Sequence, residues 1–340
     1  MTNRNLNLNK KTKPFLLKPV GKDYLWGGNR LNDDFSKDID MLPLAETWEC
    51  STHKDGASIV ASGENQGMDL KELIKLHPEY VGTHCAEFAK KGELPILIKF
   101  IDAKQDLSVQ VHPSDEYAFE NENGSLGKSE MWYVLDASKN AKLVYGFRAD
   151  MTKERIRKSI ERNSINKYLQ KVKIHKGDVF YIEAGTVHAI GAGALIAEIQ
   201  ENSNITYRMY DYDRVDKNGC KRELHIDKAL DVARLEKSTE PRQPMRVLKY
   251  KRGYASEFLS RCKYFQVDRI LINTERNREM ADFESDSTSF RVLLCTSGCG
   301  VLFFGNNESL QFFKGDCIFV PADSVNIKIH GKAQFLDVRC

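Results

Sequence analysis

Three residues that lie far apart in the sequence carry side chains that together could bind a divalent metal: His112, Glu130 and His188. Two imidazoles and one carboxylate form a borderline-soft set of nitrogen and oxygen ligands, which suits zinc and leaves a coordination position open for water or substrate. Each residue alone has a simpler explanation, because a lone histidine is more often a hydrogen-bonded core residue and a glutamate more often a surface charge. The hypothesis of a metal site therefore depends on the elements that bring the three residues together.

The segment LSVQVHP alternates polar and aliphatic residues, as a strand does. It places Ser108, Gln110 and His112 on one face and the aliphatic residues between them on the other. The polar face holds glutamine and histidine where a water-facing strand would hold lysine and glutamate. Such a face is typical of the wet interior of a small barrel whose outside is covered by another layer. The amide oxygen of Gln110 is therefore a fourth candidate ligand.

The other candidate residues also stand at the ends or on the faces of predicted strands. Glu130 precedes the apolar segment MWYVL, and His188 lies in AGTVHAIGAG, where glycines allow a tight turn between strands. Glu198 shares a strand face with Gln200, and Arg208 lies among aromatic residues on the next strand. An arginine in an apolar strand is costly unless an anion pairs with it, and that anion is either a protein carboxylate or a substrate oxyanion.

Most of the chain predicts short strands rich in β-branched and aromatic residues, over 97–103, 107–112, 131–137, 142–147, 178–184, 194–200 and 206–212. Helical periodicity appears over 68–82, 152–169 and 225–235, and we expect these helices to cover a sheet. The polar segment 237–246 contains two prolines and predicts a linker.

A short internal repeat in the sequence points to two related domains. Residues 177–190 align without gaps with residues 315–328, and His188 falls opposite Asn326. Only the first copy therefore keeps a ligand. We expect a disordered extension over 1–14, a catalytic metal-binding domain over 15–240, and a degenerate, structural or regulatory domain over 247–340.

Composition excludes several classes of function. The chain has 340 residues, and 51 Lys and Arg nearly balance 48 Asp and Glu, so no basic surface for nucleic acid or an anionic membrane is expected. The polar start lacks a signal peptide, and no apolar run is long enough to span a bilayer. We expect a cytoplasmic protein whose eight scattered cysteines stay reduced.

Four segments resemble the signatures of a known family: SVQVHPSDEYA, GKSEMWYVLDA, GDVFYIEAGTVHAIGAG and EIQENSNITYRMYDYDR. In this order they are similar to the type I mannose-6-phosphate isomerases, in the short bacterial branch of that cupin family. The resemblance runs from about Tyr24 to Arg214 and weakly beyond. It implies a mainly β fold of two cupin-type jelly-roll barrels, with a few covering helices inserted in the N-terminal catalytic part. The expected reaction interconverts mannose 6-phosphate and fructose 6-phosphate.

The resemblance also implies roles for individual residues. One zinc ion per chain would be held by His112, Glu130, His188 and Gln110. Arg208 matches the essential arginine, Glu198 the leading candidate for the base, and Lys128 a second candidate for proton transfer. Further pocket positions are Trp26, Glu46, Lys99 and Ser108. We expect Lys99 and Ser108 to bind the phosphate, as a cation and a hydroxyl donor at the mouth of the barrel.

Two other classes of protein remain open. A cupin oxygenase would use the same two histidines and one carboxylate with ferrous iron. A non-catalytic cupin would bind the sugar phosphate without converting it. The lysine and arginine complement favours a phosphorylated ligand over oxygenase chemistry. The expected partner is a small sugar phosphate, with no nucleic acid or membrane, and the expected state is a monomer or weak homo-oligomer.

Overall fold

The computed structural model describes residues 12–216, 218–241, 243, 245–276, 279–305 and 307–340. Most of the disordered extension expected over 1–14 lies outside the described residues. Thr12, inside that range, forms a bridge with Ser324, and its hydroxyl donates to the carbonyl oxygen of Ala322 at 3.2 Å. These contacts anchor Thr12, which differs from the expectation of disorder at this position.

Strands dominate the described chain. They are β1 Phe15–Lys18, β2 Val20–Lys22, β3 Glu46–Cys50, β4 Ile59–Val60, β5 Ile96–Ala103, β6 Val109–Val111, β7 Glu130–Ala137, β8 Lys142–Phe147, β9 Leu169–Lys173, β10 Val179–Ile182, β11 His188–Ile190, β12 Ala194–Glu201, β13 Tyr207–Tyr210, β14 Lys249–Lys251, β15 Tyr254–Arg261, β16 Gln266–Asn273, β17 Ala281–Phe283, β18 Arg291–Phe304, β19 Glu308–Phe313, β20 Cys317–Val320 and β21 Ile327–Arg339. The seven strands predicted from sequence are confirmed as β5, β6, β7, β8, β10, β12 and β13, with ends that differ by at most two residues.

Helices are short. They are α1 Arg30–Phe35, α2 Leu70–Leu76, α3 Ala86–Ala89, α4 Asp115–Asn121, α5 Lys153–Glu161 and α6 Ile226–Val232, with 3-10 turns at Pro78–Val81, Thr83–Cys85 and Ile165–Lys167. The N-cap of α5 is typical, since the Thr152 side chain accepts a hydrogen bond from the Arg155 amide and so satisfies one free N–H group of the first turn. Within the described residues, no helix is long and apolar enough to cross a membrane.

The chain forms two compact units that interleave in sequence. The first unit comprises the chain up to Lys18, Ser58–Pro95 and Arg246–Cys340, and the second comprises Pro19–Ala57 and Ile96–Met245. The expected continuous domain over 15–240 differs from this division, although the boundary after residue 245 falls within the predicted linker.

The first unit contains a sheet with the order β14-β15-β16-β21-β18-β20-β1-β4, in which β17 also pairs with β21 and β19 with β18. The helical segment predicted over 68–82 belongs here, and not in the catalytic part as expected. Long-range backbone hydrogen bonds account for this difference, because the amides of Phe290 and Ala322 donate to the carbonyl oxygens of Val81 and Tyr80. Asn326, which aligns with His188 in the internal repeat, is exposed.

The second unit contains two antiparallel sheets, with the orders β10-β7-β12-β5-β3-β2 and β13-β6-β11-β8-β9. They share a buried core in which Trp132 and Ile196 of the first sheet meet Leu143 and Ile190 of the second. Buried apolar side chains of this kind each contribute about 1.5–3 kcal/mol of hydrophobic stabilisation. Polar side chains inside this unit are therefore surrounded by tightly packed residues.

The outer face of the five-stranded sheet is covered by helices. Val109 and Val111 of β6 pack in one cluster with Ile156 and Ile160 of α5 and Leu230 of α6. This arrangement confirms the covering role expected for these two helices and the outward direction of Val109 and Val111. Leu107, expected on the same face, packs instead in the core that the two sheets share. Because successive strand residues point to opposite faces, Gln110 faces the other way, into the unit.

Candidate metal centre and adjoining cavity

The register of three neighbouring strands places polar side chains in one row. Gln110 on β6 lies opposite His188 on β11 and opposite Arg208 on β13. Residues that are directly opposite in antiparallel strands share a face, so the three side chains lie side by side. His112 follows β6 by one residue, where Pro113 ends the strand.

The second sheet of the same unit supplies the carboxylate. Glu130 is the first residue of β7, and its oxygens lie 3.5 Å from Nε2 of His112 and 3.4 Å from Nε2 of His188. The candidate ligand atoms all lie within 4.8 Å of one another, and the three residues are fully buried. Among the described residues, it is the one group of three or more His, Cys, Asp and Glu side chains close enough together to hold a metal ion.

Backbone carbonyls determine which nitrogen of each imidazole faces the carboxylate. Nδ1 of His112 lies 2.8 Å from the carbonyl oxygen of Ile205, and Nδ1 of His188 lies 2.8 Å from that of Thr186. A carbonyl only accepts, so Nδ1 carries the proton and Nε2 presents a lone pair to the cluster. Burial lowers the pKa of both histidines, to about 3 for His112, where Lys128 lowers it further. Both imidazoles are therefore neutral and ready to bind a cation at neutral pH.

Glu130 is a buried carboxylate with too few donors. Neither of its oxygens accepts a hydrogen bond of good geometry within the described chain, although Nζ of Lys128 lies 2.8 Å from Oε2. Burial acts to raise its pKa, but the opposing influence, of which the charge of Lys128 is the largest part, holds the pKa well below the ordinary range. An ionised carboxylate that converges with two neutral imidazole nitrogens is a donor set that fits a divalent metal.

Gln110 is the fourth candidate ligand. Its amide nitrogen lies 3.4 Å from Nε2 of His188. Turning the amide by 180° places the oxygen at the same point, since the two atoms have nearly the same size. Gln110 is thus close enough to the cluster to add an oxygen ligand.

A cavity of about 250 Å³ adjoins this cluster. All of the predicted non-cluster site residues line it, namely Trp26, Glu46, Lys99, Ser108, Gln110, Lys128, Glu198 and Arg208. The sequence reasoning missed further lining residues: Tyr24, Asn204, Thr206, Arg222 and the apolar Ile101, Leu107 and Ile190. Asn204 and Thr206 lie in the signature ENSNITYR, which could have indicated them. Arg222 lies in a polar segment without periodicity and gave no such signal.

Lys99 is placed differently from the expectation that it binds phosphate at the mouth of a barrel. It is buried, and its Nζ lies 3.3 Å from Glu198 and 3.7 Å from Glu46. Burial acts to lower its pKa, but the two carboxylates outweigh burial and raise the pKa. Its charge is therefore already balanced by protein carboxylates, which makes Lys99 a poor ligand for a phosphate.

Glu198 is held from two sides. The indole N–H of Trp132 donates to its Oε2 at 2.8 Å, and Lys99 lies next to Oε1. Burial raises the pKa of Glu198, the nearby charge of Glu130 raises it further, and the two lysines Lys128 and Lys99 only partly oppose this. A carboxyl whose pKa is raised toward neutrality is suited to exchanging protons with a substrate.

Cationic side chains line another part of the cavity. Arg208 is half-buried, and no carboxylate of the described chain lies within ion-pair distance of it, so the alternative of a buried Arg–Glu pair is wrong. Its Nε is buried without an acceptor. Asp211 instead binds Arg222 through two hydrogen bonds of 2.8 and 2.5 Å, and also binds Arg214. Arginine side chains outnumber carboxylates in this part of the cavity, which favours an anionic ligand.

Together, these features define a mainly β protein with a buried metal-site-like cluster and a polar cavity suited to an anionic small molecule. The family model for the catalytic domain of phosphomannose isomerase type I matches residues 15–147. The chain is 37% identical over 323 residues to mannose-6-phosphate isomerase ManA of Bacillus subtilis (strain 168), covering 95% of this chain and 98% of that protein. The chain belongs to the type I phosphomannose isomerase family.

Solved structures agree with this assignment. The crystal structure of mannose 6-phosphate isomerase from Bacillus subtilis superposes with a TM-score of 0.86 at 35% identity, covering 97% of this chain and 100% of that one. A mannose 6-phosphate isomerase bound with zinc and yttrium superposes with a TM-score of 0.73 over 96% of this chain and 99% of that one. Its identity is 16%, so this second likeness shows the fold alone.

Proposed function

We propose that this protein is a zinc-dependent mannose-6-phosphate isomerase, which interconverts mannose 6-phosphate and fructose 6-phosphate through an enediolate. The observation that carries the proposal is the buried His112, Glu130 and His188 cluster beside a cavity with unpaired arginine charge. Membership in the type I family supports the reaction, and the set of two imidazoles and one carboxylate supports the choice of zinc.

The metal would be held by His112, Glu130 and His188, with Gln110 as the fourth ligand. When bound, zinc supplies a Lewis acid that stabilises negative charge on the adjacent oxygens of an enediolate. The protein's own contribution is to present neutral imidazole nitrogens, because each Nδ1 proton is donated to a backbone carbonyl.

Glu198 is our proposal for the base that moves the proton between carbon 2 and carbon 1. Its carboxylate lines the cavity, and the Trp132 indole and Lys99 orient it. Its raised pKa brings proton uptake and release nearer to neutral pH. Lys128, which lies 3.2 Å from Nε2 of His112, remains the second candidate for proton transfer.

Arg208 and Arg222 are our proposal for the phosphate ligands, with the hydroxyl of Ser108 as an additional donor. Arginine forms strong charge-assisted hydrogen bonds with phosphate oxygens, and Asp211 fixes the orientation of Arg222. Lys99 takes a different role from the one expected. Together with Glu46, it holds the Glu198 side chain in position. Trp26, which stacks on Tyr24 at 5.6 Å between ring centroids, would form an apolar wall for the sugar.

We further propose that the two sheets of the second unit close into a cupin-type jelly-roll barrel around this cavity. The core that both sheets share supports this arrangement. The first unit would be a second barrel without ligands, and the exposed Asn326 in place of a histidine supports this view. The cytoplasmic location and the monomeric or weakly associated state stay predictions.

The decisive experiment is a coupled assay for fructose 6-phosphate formed from mannose 6-phosphate, before and after chelation and after adding back single metals. Zinc should restore turnover to the chelated protein. Unchanged activity in protein shown to be free of metal would overturn the metal-dependent mechanism. Oxygen uptake with ferrous iron would instead identify an oxygenase, and binding of mannose 6-phosphate without conversion would identify a non-catalytic cupin.

A further inference from the structure

Arg208 lies on the edge strand of a sheet, where backbone groups need partners from outside the sheet. β13 is the last strand in the order β13-β6-β11-β8-β9, and it pairs with β6 on its inner side. A register shift between Arg208 and Tyr210 leaves Met209 without an opposite residue, so a bulge directly follows Arg208. Unpaired N–H and C=O groups on the outer side of such a strand must be satisfied by another segment. The position of Arg208 therefore depends on that segment.

His225 supplies partners for both backbone groups of Arg208. The Arg208 amide donates to Nδ1 of His225 at 3.2 Å, and the His225 amide donates to the carbonyl oxygen of Arg208 at 2.8 Å. His225 thus continues the ladder of the sheet by one step, with an imidazole nitrogen in the place of a carbonyl oxygen. Removing the imidazole would take this acceptor away from the Arg208 amide, whereas the second bond is made by the backbone alone.

The protonation state of His225 suits this contact. A backbone N–H only donates, so Nδ1 carries a lone pair and the proton of the neutral imidazole lies on Nε2. Burial and the charge of Arg208 lower the pKa of His225. Lys228 lowers it further, and the carboxylates of Glu223 and Glu122 oppose these effects only in part. The imidazole is therefore neutral at pH 7 and above, where it can accept the bond.

The segment 222–225, which we call the RELH segment after its sequence, also contacts the Arg208 side chain. Nη1 of Arg208 donates to the carbonyl oxygen of Glu223 at 2.9 Å. Nε of Arg208 is buried without an acceptor in the described part of the chain, so it is available to a ligand. Arg222, the first residue of the RELH segment, lines the same cavity and is held by Asp211. One segment thus holds Arg208 through its backbone and its guanidinium and supplies the second arginine.

We propose that His225 is a positioning residue, which holds Arg208 where its guanidinium binds the phosphate of the substrate. His225 is not among the described residues that line the cavity, so it acts through Arg208. Without the imidazole, the edge strand at Arg208 is free to shift and the affinity for phosphate falls. The metal cluster, whose residues lie on or next to other strands, keeps its ligands. The inference rests on the phosphate-binding role proposed for Arg208, and not on turnover.

The test measures binding of mannitol 1-phosphate to the zinc-loaded protein by calorimetry at pH 8. This sugar alcohol carries the phosphate but has no carbonyl group to isomerise. His225→Ala should weaken its binding by about 10-fold and lower kcat/KM for mannose 6-phosphate to a similar extent, with metal content unchanged. His225→Asn places an amide oxygen near the position of Nδ1 and should keep the wild-type affinity. Thr152→Ala removes an acceptor that lies 3.2 Å from the Arg155 amide, and this matched control should change neither quantity.

A double-mutant cycle tests whether His225 acts through Arg208. Arg208→Ala alone should weaken binding of mannitol 1-phosphate by about 10- to 100-fold, the loss expected for a hydrogen bond to a charged group. Adding His225→Ala should then weaken binding by less than about twofold, because the guanidinium that His225 positions is gone. A general structural effect of His225 would instead add in full to the effect of Arg208→Ala.

The outcomes separate this inference from the proposed function. Unchanged affinity in His225→Ala, equal losses in the alanine and asparagine variants, or full additivity with Arg208→Ala would overturn the positioning role. A wild-type protein that does not bind mannitol 1-phosphate would overturn it as well. A protein that binds mannitol 1-phosphate with this dependence on His225, but does not convert mannose 6-phosphate, would refute the proposed isomerase and leave the positioning role standing.

Discussion

Replacing Trp132 with phenylalanine should move the acid limb of the pH profile of kcat/KM to higher pH. The indole N–H donates to Oε2 of Glu198 at 2.8 Å and so stabilises the ionised carboxylate. As the base, Glu198 must be ionised to accept a proton, so activity falls as pH falls through its pKa. Removing the donor leaves the carboxylate less stable, which raises the pKa that burial has already raised.

The size of this shift follows from the strength of the lost bond. A hydrogen bond to a charged group contributes about 1.5–3 kcal/mol. One pKa unit corresponds to about 1.4 kcal/mol, so the acid limb should move by about 1–2 pH units. Lys99 stays 3.3 Å from Glu198 in the variant and keeps the carboxylate from becoming wholly unpaired.

The chain offers a matched control for this experiment. Trp48 is buried like Trp132, and its indole N–H donates to Oε2 of Glu46 at 2.9 Å. Trp48→Phe therefore removes the same kind of bond from the neighbouring carboxylate, with a similar loss of packing. Profiles of both variants should be measured with mannose 6-phosphate at saturating zinc. Equal shifts in the two variants, or no shift in Trp132→Phe with intact metal content, would refute Glu198 as the base.

Three further predictions concern the metal centre and its surroundings. His188→Ala should lose bound metal and activity together, whereas the exposed His175→Ala should lose neither; elemental analysis beside the coupled assay checks this. Arg208→Ala should keep its metal and lower turnover by about 100-fold, and metal loss in this variant would contradict the proposed role. Lys99→Met leaves two buried carboxylates unpaired and should lower the free energy of unfolding in urea by about 3–5 kcal/mol. Adding Glu198→Gln to Lys99→Met should recover part of that loss, and no recovery would argue against the ion pair.

The metal cluster was predictable because strand geometry decides which side chains share a face. Alternation in LSVQVHP places Gln110 and His112 inside, and the structure indeed buries Val109 and Val111 under the helices. The partners of Lys99 were not predictable in this way. They depend on the sheet order β12-β5-β3, which puts Glu198 and Trp48 on either side of Lys99. Sequence periodicity gives the face of a strand but not its neighbours.

The interleaving of the two units could not be predicted either. It depends on β1 and β4, which are four and two residues long, too short to show a period. The segment 68–82 was correctly predicted as helical. The unit in which it packs, however, is determined by backbone hydrogen bonds to residues far along the chain. Local pattern thus identifies elements well, whereas pairing between distant short strands depends on the whole fold.

Because β1 pairs with β20, the order of synthesis constrains how this chain folds. Thr12 and Ala322, which flank this pairing, are 310 positions apart. A ribosome that adds about 5–20 residues per second needs on the order of 15–60 s to cover that distance. During that time, β1 lacks its partner β20, whereas every residue of the metal-site unit, through Met245, is made before β20. The nascent chain is therefore expected to enclose its metal centre first and to need chaperone protection for its early strands until the last sheet closes.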